Sequence, residues 1–176
     1  ISSALIPIIG EVCLYDDNNK RYFYNKNKDL KYIRKNISVM LGGYTSLLPN
    51  LTCIQNIIFF ITIKNIMFDG DKIEYYLKLF DIKQYEDIVT YRLSTGTKQK
   101  IVLIITILTN ASILIFDEPT TGLDQSSINV FKNEIEKIKK EKIIIMTTHD
   151  KSLLNNNSVV LSVKDKKVEI LKSLNF

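Results

Sequence analysis

The sequence predicts an α/β domain: a parallel sheet with helices on both faces and an antiparallel flank. Three observations predict it. Residues 113–116 (Ile-Leu-Ile-Phe) and 143–146 (Ile-Ile-Ile-Met) are continuous apolar runs, short enough to be strands and lacking the polar alternation of a half-exposed one. A segment with helical spacing precedes each run, 97–108 before the first and 128–138 before the second. Both runs end in polar residues, Asp117-Glu118 and Thr147-Thr148-His149, at the strand end where open α/β sheets bind ligands.

The remaining elements follow in order. Residues 1–9 read as the end of a helix already under way, turning at Pro7 and Gly10. With Ile1 as its first residue, the sequence is expected to be a fragment of a longer chain. Residues 11–15 and 21–24 alternate loosely and predict two short strands around the turn Asp16-Asp17-Asn18-Asn19. Residues 37–41 are a short apolar run entering Gly42-Gly43, a strand leading into a loop. Thr52 is placed to cap a helix to about residue 66, with Gln55 completing a capping box. Asp71 is placed to cap a second helix with Ile73, Tyr76, Leu77 and Phe80 on one face. Ser126 or Ser127 opens the helix that turns Ile128, Phe131, Ile135 and Ile138 inward. Residues 159–163 and 168–171 flank Asp165-Lys166 as a hairpin. All six glycines and all three prolines fall in loops on this reading, as their backbone constraints ask.

Composition narrows the function. A chain of 176 residues, 45% hydrophobic and 24% charged, has the length of one domain and can bury a core. The net charge of +5 is spread thinly and fits a solvated basic surface; the alternative is a nucleotide, nucleic acid or membrane partner. Cys13 and Cys53 lack metal or redox spacing and read as buried free thiols of a reducing compartment. The longest apolar stretches, 57–63 and 101–108, fall far short of the roughly 20 residues that span a bilayer. With no secretory signal, the expected home is the cytosol.

The chemistry gathers around Asp117-Glu118. One carboxylate at such a strand end can hold Mg²⁺, and its neighbour can take a proton from an attacking water. Upstream, Leu93-Ser94-Thr95-Gly96-Thr97-Lys98-Gln99-Lys100 sets a hydroxyl and backbone amides at a helix start, an anion nest. Downstream lies Thr121-Gly122-Leu123-Asp124, a tight loop with a carboxylate. His149, the one histidine of the chain, follows the strand 143–146 at the same predicted edge, where it is placed to sense phosphate.

Taken in order, these segments resemble the ATP-binding-cassette (ABC) ATPases. Residues 93–100 look like the signature motif in the Ser-Thr-Gly form of drug, bacteriocin and sodium exporters. Residues 113–118 look like Walker B, 122–124 like the D-loop, and His149 like the switch histidine. Leu5-Ile6-Pro7 to Gly10-Glu11-Val12 is similar to the segment after the phosphate-loop helix. Leu48-Pro49-Asn50-Leu51-Thr52 with Asn56 is similar to the entry of the helical subdomain.

The resemblance implies a P-loop NTPase-like sheet in one incomplete nucleotide-binding domain, 1–176. About 46–96 would be the helical subdomain and the remainder the RecA-like core. It implies ATP and Mg²⁺, a second ABC ATPase subunit as homo- or heterodimer, and a transmembrane permease, with no nucleic acid. The location implied is cytoplasmic, peripheral on the inner face of the cell membrane. By similarity, Glu118 would polarise the attacking water, and His149 would contact the γ-phosphate. Asp117 would hold Mg²⁺, and Ser94, Thr95 and Gly96 would contact the γ-phosphate held by the partner. Asp124 would couple the two sites.

Two departures stand out. The sequence contains no Gly-x-x-x-x-Gly-Lys-Ser/Thr phosphate loop, so that loop and the first strand of the family sheet are expected to be missing. The place where the family carries the Q-loop glutamine holds Gly43, and water or Tyr44 is left to fill that role. A catalytically inactive remnant, or a soluble ABC protein acting on ribosomes or DNA, stands as the alternative to a transporter ATPase.

Overall fold

The computed structural model describes residues 11–40, 44–154, 158–164 and 167–171. The expectations for residues 1–10, Gly42, Gly43 and the Asp165-Lys166 turn lie outside them.

Elements run in the order β1 (Cys13–Tyr15), β2 (Arg21–Phe23), α1 (Asn27–Asn36), β3 (Ile37–Met40), α2 (Cys53–Ile63), α3 (Gly70–Leu79), α4 (Thr95–Leu108), β4 (Ile113–Asp117), α5 (Gln125–Ile138), β5 (Ile143–Thr147), β6 (Val160–Lys164) and β7 (Lys167–Leu171). The central sheet is parallel, in the order β3-β4-β5. Two antiparallel pairs, β1-β2 and β6-β7, stand apart from it as the predicted flank.

Side chains alternate across the central sheet, so β3 and β4 each feed two cores. Met40, Leu114 and Phe116 face the main core with α2, α3, α4 and α5, where Phe116 meets Phe131 edge to face at 5.2 Å. Ile37, Val39, Ile113 and Ile115 face a smaller core with Tyr24 and Ile33, beneath the β1-β2 pair and α1. Helices therefore cover both faces. α4 explains its own position: Ile101, Leu103 and Ile104 are all fully buried, so it is apolar all round and sits inside the main core.

The structure corrects several expectations. Asp69, not Asp71, caps α3, its Oδ1 accepting from the Lys72 amide at 3.0 Å. Asp124, not Ser126 or Ser127, caps α5. α2 stops at Ile63, short of residue 66. α4 begins at Thr95, so Gly96 lies in its first turn and Gly70 opens α3; these two glycines are helical. The apolar run of β5 predicts a buried strand, but β5 lies at the edge of the described sheet with Ile143 60% and Ile145 41% exposed. Cys53 is buried as expected and Cys13 only half-buried; burial pushes the Cys53 thiol up to about 12.

The capping box of α2 forms as read, with Thr52 Oγ1 accepting from the Gln55 amide and the Thr52 amide donating to Gln55 Oε1. Beside it, fully buried Asn56 ties a loop together. Its Oδ1 accepts from the Leu48 amide at 2.8 Å, and the two hydrogens of its Nδ2 are shared among the carbonyls of Leu48, Leu51 and Thr52 and Thr90 Oγ1, all within 3.3 Å. A second polar link crosses from α3 to α5, where the buried Glu134 carboxylate accepts from Tyr76 Oη at 3.3 Å and pairs with Lys137. Burial, and then the Glu134 charge, hold the Tyr76 hydroxyl well above its ordinary range. Truncating Asn56 strands the Leu48 amide in the interior. Asn56→Ala should lower stability by about 1–3 kcal/mol, read as a lower urea midpoint at unchanged slope.

Candidate functional site

Two clusters form at the carboxyl ends of the central strands. The first is set by the register of β4 on β5, which places Asp117 directly beside Thr147. Thr147 Oγ1 donates to Asp117 Oδ1 at 2.5 Å, leaving Oδ2 of that carboxylate for another partner. The same hydroxyl accepts from the Glu118 amide at 3.1 Å, and so does the Thr147 carbonyl. Glu118 is bent into the left-handed region at φ 47°, unusual for a residue with a side chain. That bend ends β4 and points the chain into the loop, where the Glu118 carbonyl accepts from the Thr121 amide. His149 Nε2 stands 3.3 Å from Glu118 Oε1, with the imidazole 98% exposed and the carboxylate one-third exposed. The expected grouping of Asp117, Glu118 and His149 is therefore present. Thr147, which ties it together, has no role assigned by the sequence alone; its position opposite Asp117 depends on strand register.

The second cluster is the start of α4 against the loop after Glu118. Ser94 caps α4: its Oγ accepts from the Thr97 amide at 3.1 Å and lies 2.8 Å from Thr97 Oγ1. The amides of Thr95 and Gly96 fall among the first N–H groups of the helix, which have no intrahelical acceptor. Gly96 sits so close to the loop that a Cβ there would lie 2.8 Å from the Gly122 carbonyl oxygen, and Gly122 itself holds φ +78°. Two side chains of α4 pin the loop further. Buried Gln99 donates to the Pro119 carbonyl at 3.3 Å, and buried Lys100 reaches Asp124 Oδ2 at 3.1 Å. Asp124 also accepts from Ser126 Oγ and the Ser127 amide. The Ser126 hydroxyl, then Ser127, then Lys100 hold its carboxyl well below the usual carboxylate range.

Gly43 lies outside the described residues, but its neighbour Tyr44 is placed. The Tyr44 ring lies under Lys98 of α4, with the ammonium 5.2 Å from its centroid. This contact ties the segment after Gly43 to the helix that follows Ser94.

Among the described residues no three His, Cys, Asp or Glu side chains converge as a metal centre. Asp117, with one carboxylate oxygen uncommitted, suits a cation that takes one protein carboxylate and completes its shell with water and phosphate, as Mg²⁺ does. No helix among the described residues is long and apolar enough to cross a membrane.

A central parallel sheet that delivers Asp-Glu and His to one edge, beside a serine-capped helix, is the architecture of the P-loop NTPase class. The chain belongs to the ABC transporter family, whose model matches residues 1–121. It is 32% identical over 120 residues to the ABC transporter ATP-binding protein NatA of Bacillus subtilis, covering 66% of this chain and 49% of that protein. It is 30% identical over 154 residues to an ABC transporter ATP-binding protein of Methanocaldococcus jannaschii, covering 82% of this chain and 57% of the relative. The chain thus spans about half the length of these curated relatives. Its fold matches a dimeric ATP-binding cassette solved in a post-hydrolysis state with ADP and Pi (TM-score 0.71, 23% identity, 87% of this chain and 68% of that one).

Two outcomes follow from this geometry. Gly96→Ala should push α4 and the 118–124 loop apart, read as faster amide exchange in both segments. Acid should weaken the fold through Asp124. Its folded-state pKa lies below the ordinary 3.8, so its contribution is present above that pH and is lost as pH falls further. Asp124→Asn should shrink the loss of thermal stability between pH 4 and pH 2; an unchanged loss would mean that Asp124 plays no part in it.

Proposed function

We propose that this chain is the ATP-hydrolysing part of an ABC transporter subunit, working with a second cassette head to tail and driving export through a membrane permease. The observation that supports it most is the shared strand edge, where Asp117, Glu118, Thr147 and His149 meet beside the start of α4. Export rests on the Ser-Thr-Gly form of the signature. A cytoplasmic position against the membrane follows from the permease partner. On this reading 1–176 is a single incomplete nucleotide-binding domain, with 46–96 as its helical subdomain. The return of that segment on itself supports the division: Leu51 meets Thr90, and the amides of Cys53 and Ile54 meet the carbonyls of Ile88 and Glu86.

Each residue then has a task. Glu118 orients the attacking water and takes its proton, an action worth about 10²–10⁴ in rate. His149 steadies the Glu118 carboxylate through Nε2 and reaches toward the γ-phosphate. Asp117, with Oδ1 taken by Thr147, would hold Mg²⁺ through its other oxygen. Mg²⁺, when bound, neutralises charge on the phosphates. Ser94, Thr95 and Gly96 offer a hydroxyl and helix-start amides to the γ-phosphate held on the partner cassette. Asp124, fixed by Lys100, reports across the pair whether that contact is made. Closure follows from ATP contacting both cassettes, because a ligand that binds the closed pair better shifts the population toward it. With no glutamine at Gly43, the role that glutamine has in the family would fall to Tyr44 or to a water.

The phosphate loop decides what these residues do alone. The 176 residues contain no Gly-Lys dipeptide, so the backbone cradle and lysine for the β- and γ-phosphates are lacking in them. By themselves they should show negligible Mg²⁺-dependent ATP turnover; turnover at an ordinary ABC rate would overturn this. In a cassette that carries a phosphate loop, Glu118→Gln should cut phosphate release by about 10²–10⁴ while ATP still drives dimer formation. Release at the unmutated rate would remove Glu118 from its role. Co-purification with RNA in place of a membrane protein would favour the soluble alternative.

A further inference from the structure

A cleft of about 600 Å³ opens at the opposite end of the sheet, between the end of α2, the start of α3 and the residues that lead into β4 and β5. It is far from the strand edge described above. Ala111 and Lys142 line it just before β4 and β5 begin, whereas Asp117 and Thr147 close those strands. Five residues of extended chain separate the two ends by roughly 17 Å.

Its charged lining is Lys35, Lys64, Lys72 and Lys142 against Asp69 and Glu141. Two of the ammonium groups are held in place. Lys142 Nζ donates to the Ala111 carbonyl at 2.6 Å, and Lys64 Nζ to the carbonyls of Ile37 and Arg34 at 3.3 and 3.4 Å. Neither ammonium is held by a carboxylate. Lys35 and Lys72 have no carboxylate at salt-bridge distance among the described residues. Asp69 caps α3 through Oδ1 and keeps its charge, so the lining sets four lysines against two carboxylates. Burial, and then the charge of Lys72, press the Lys142 ammonium toward deprotonation, with Glu141 opposing only in part.

We propose that this cleft binds a small phosphorylated anion, held by Lys35, Lys64, Lys72 and Lys142. The volume lies within the 300–1,000 Å³ typical of small-ligand sites. Lysine ammonium groups act as point charges suited to phosphate oxygens. An anion there would relieve the Lys72–Lys142 repulsion. It would also bridge α3 to the base of the sheet, coupling the ligand to how the two parts sit together. The proposal does not rest on the ATPase reading.

The test is calorimetric titration of the full chain with pyrophosphate at low ionic strength, without Mg²⁺, together with amide chemical shifts. Lys35→Glu with Lys72→Glu changes two exposed side chains and spares the two that hold backbone carbonyls. A control pair, Lys31→Glu with Lys140→Glu, makes the same charge change outside the cleft. The expected result is saturable binding, weakened at least about tenfold by the cleft pair and little by the control pair. Shifts should gather at 64–73, 109–111 and 141–142. Absence of saturable binding, equal weakening by both pairs, or shifts confined to 94–97 would each overturn the proposal.

Discussion

The register of β4 on β5 is the constraint on which the candidate site depends. Parallel pairing sets Phe116 beside Met146 and Asp117 beside Thr147. Because strand side chains alternate with a period of two, slipping one residue would turn Phe116 out of the main core and Asp117 into it. Burial of Leu114 and Phe116 therefore fixes where the carboxylate emerges. The hydrophobic core and the polar edge are two readings of one alignment. Thr147 then turns alignment into chemistry, since one hydroxyl donates to Asp117 and accepts from the Glu118 amide.

A second constraint joins the helix start to that edge. The approach of Gly96 to the Gly122 carbonyl leaves no room for a side chain. Gln99 and Lys100 then reach from the next turn of α4 to Pro119 and Asp124. Lys100 is buried to an ordinary apolar degree, yet its ammonium ends on a half-exposed carboxylate, so the stem packs and the head pairs. The pair contributes position more than stability, as ion pairs with an exposed partner are worth little. Asp124 meanwhile caps α5. A continuous chain of contacts thus runs from α4 through the 118–124 loop to the first turn of α5.

Much of this was legible in the sequence because the signals were local or strongly periodic. The apolar runs at 113–116 and 143–146 became β4 and β5, and the Thr52 capping box formed with both of its hydrogen bonds. What escaped depends on neighbours far along the chain. α1 has no side-chain cap and a mostly polar surface, and it holds its place through Ile33, the buried Asp29 carboxylate and the stack of Tyr22 on Tyr32 at 3.7 Å. The choice of Asp69 over Asp71, and of Asp124 over the serines, turned on a step of two or three residues where either residue type can cap. Lys100 and Thr147 fall inside segments the sequence marks but have no role assigned there, since a lysine on an apolar helix and a threonine at a strand end are common until their partners are placed. The exposure of Ile143 and Ile145 could not be read from an apolar run, which reports what a strand can bury and not what covers it.

The two acidic neighbours end in opposite mechanical states, and that difference bears on their chemistry. Asp117 continues the strand and is fastened at one oxygen to the adjacent strand, so its free oxygen has a fixed direction. Glu118 has left the strand through a φ of 47°, a conformation that costs a side-chain-bearing residue about 1–3 kcal/mol and persists only where its surroundings hold it. Here the holding groups are the Thr147 hydroxyl and carbonyl on its amide, and the Thr121 amide on its carbonyl. Its backbone is clamped while its carboxylate keeps one contact, to an imidazole that is itself almost fully exposed. A fixed carboxylate suits a metal, which demands direction. A carboxylate on a clamped backbone with a loosely held head suits proton transfer, which needs reach and a change of partner during the reaction. The sequence order Asp then Glu assigns each its state, because only the first of the two still belongs to the sheet.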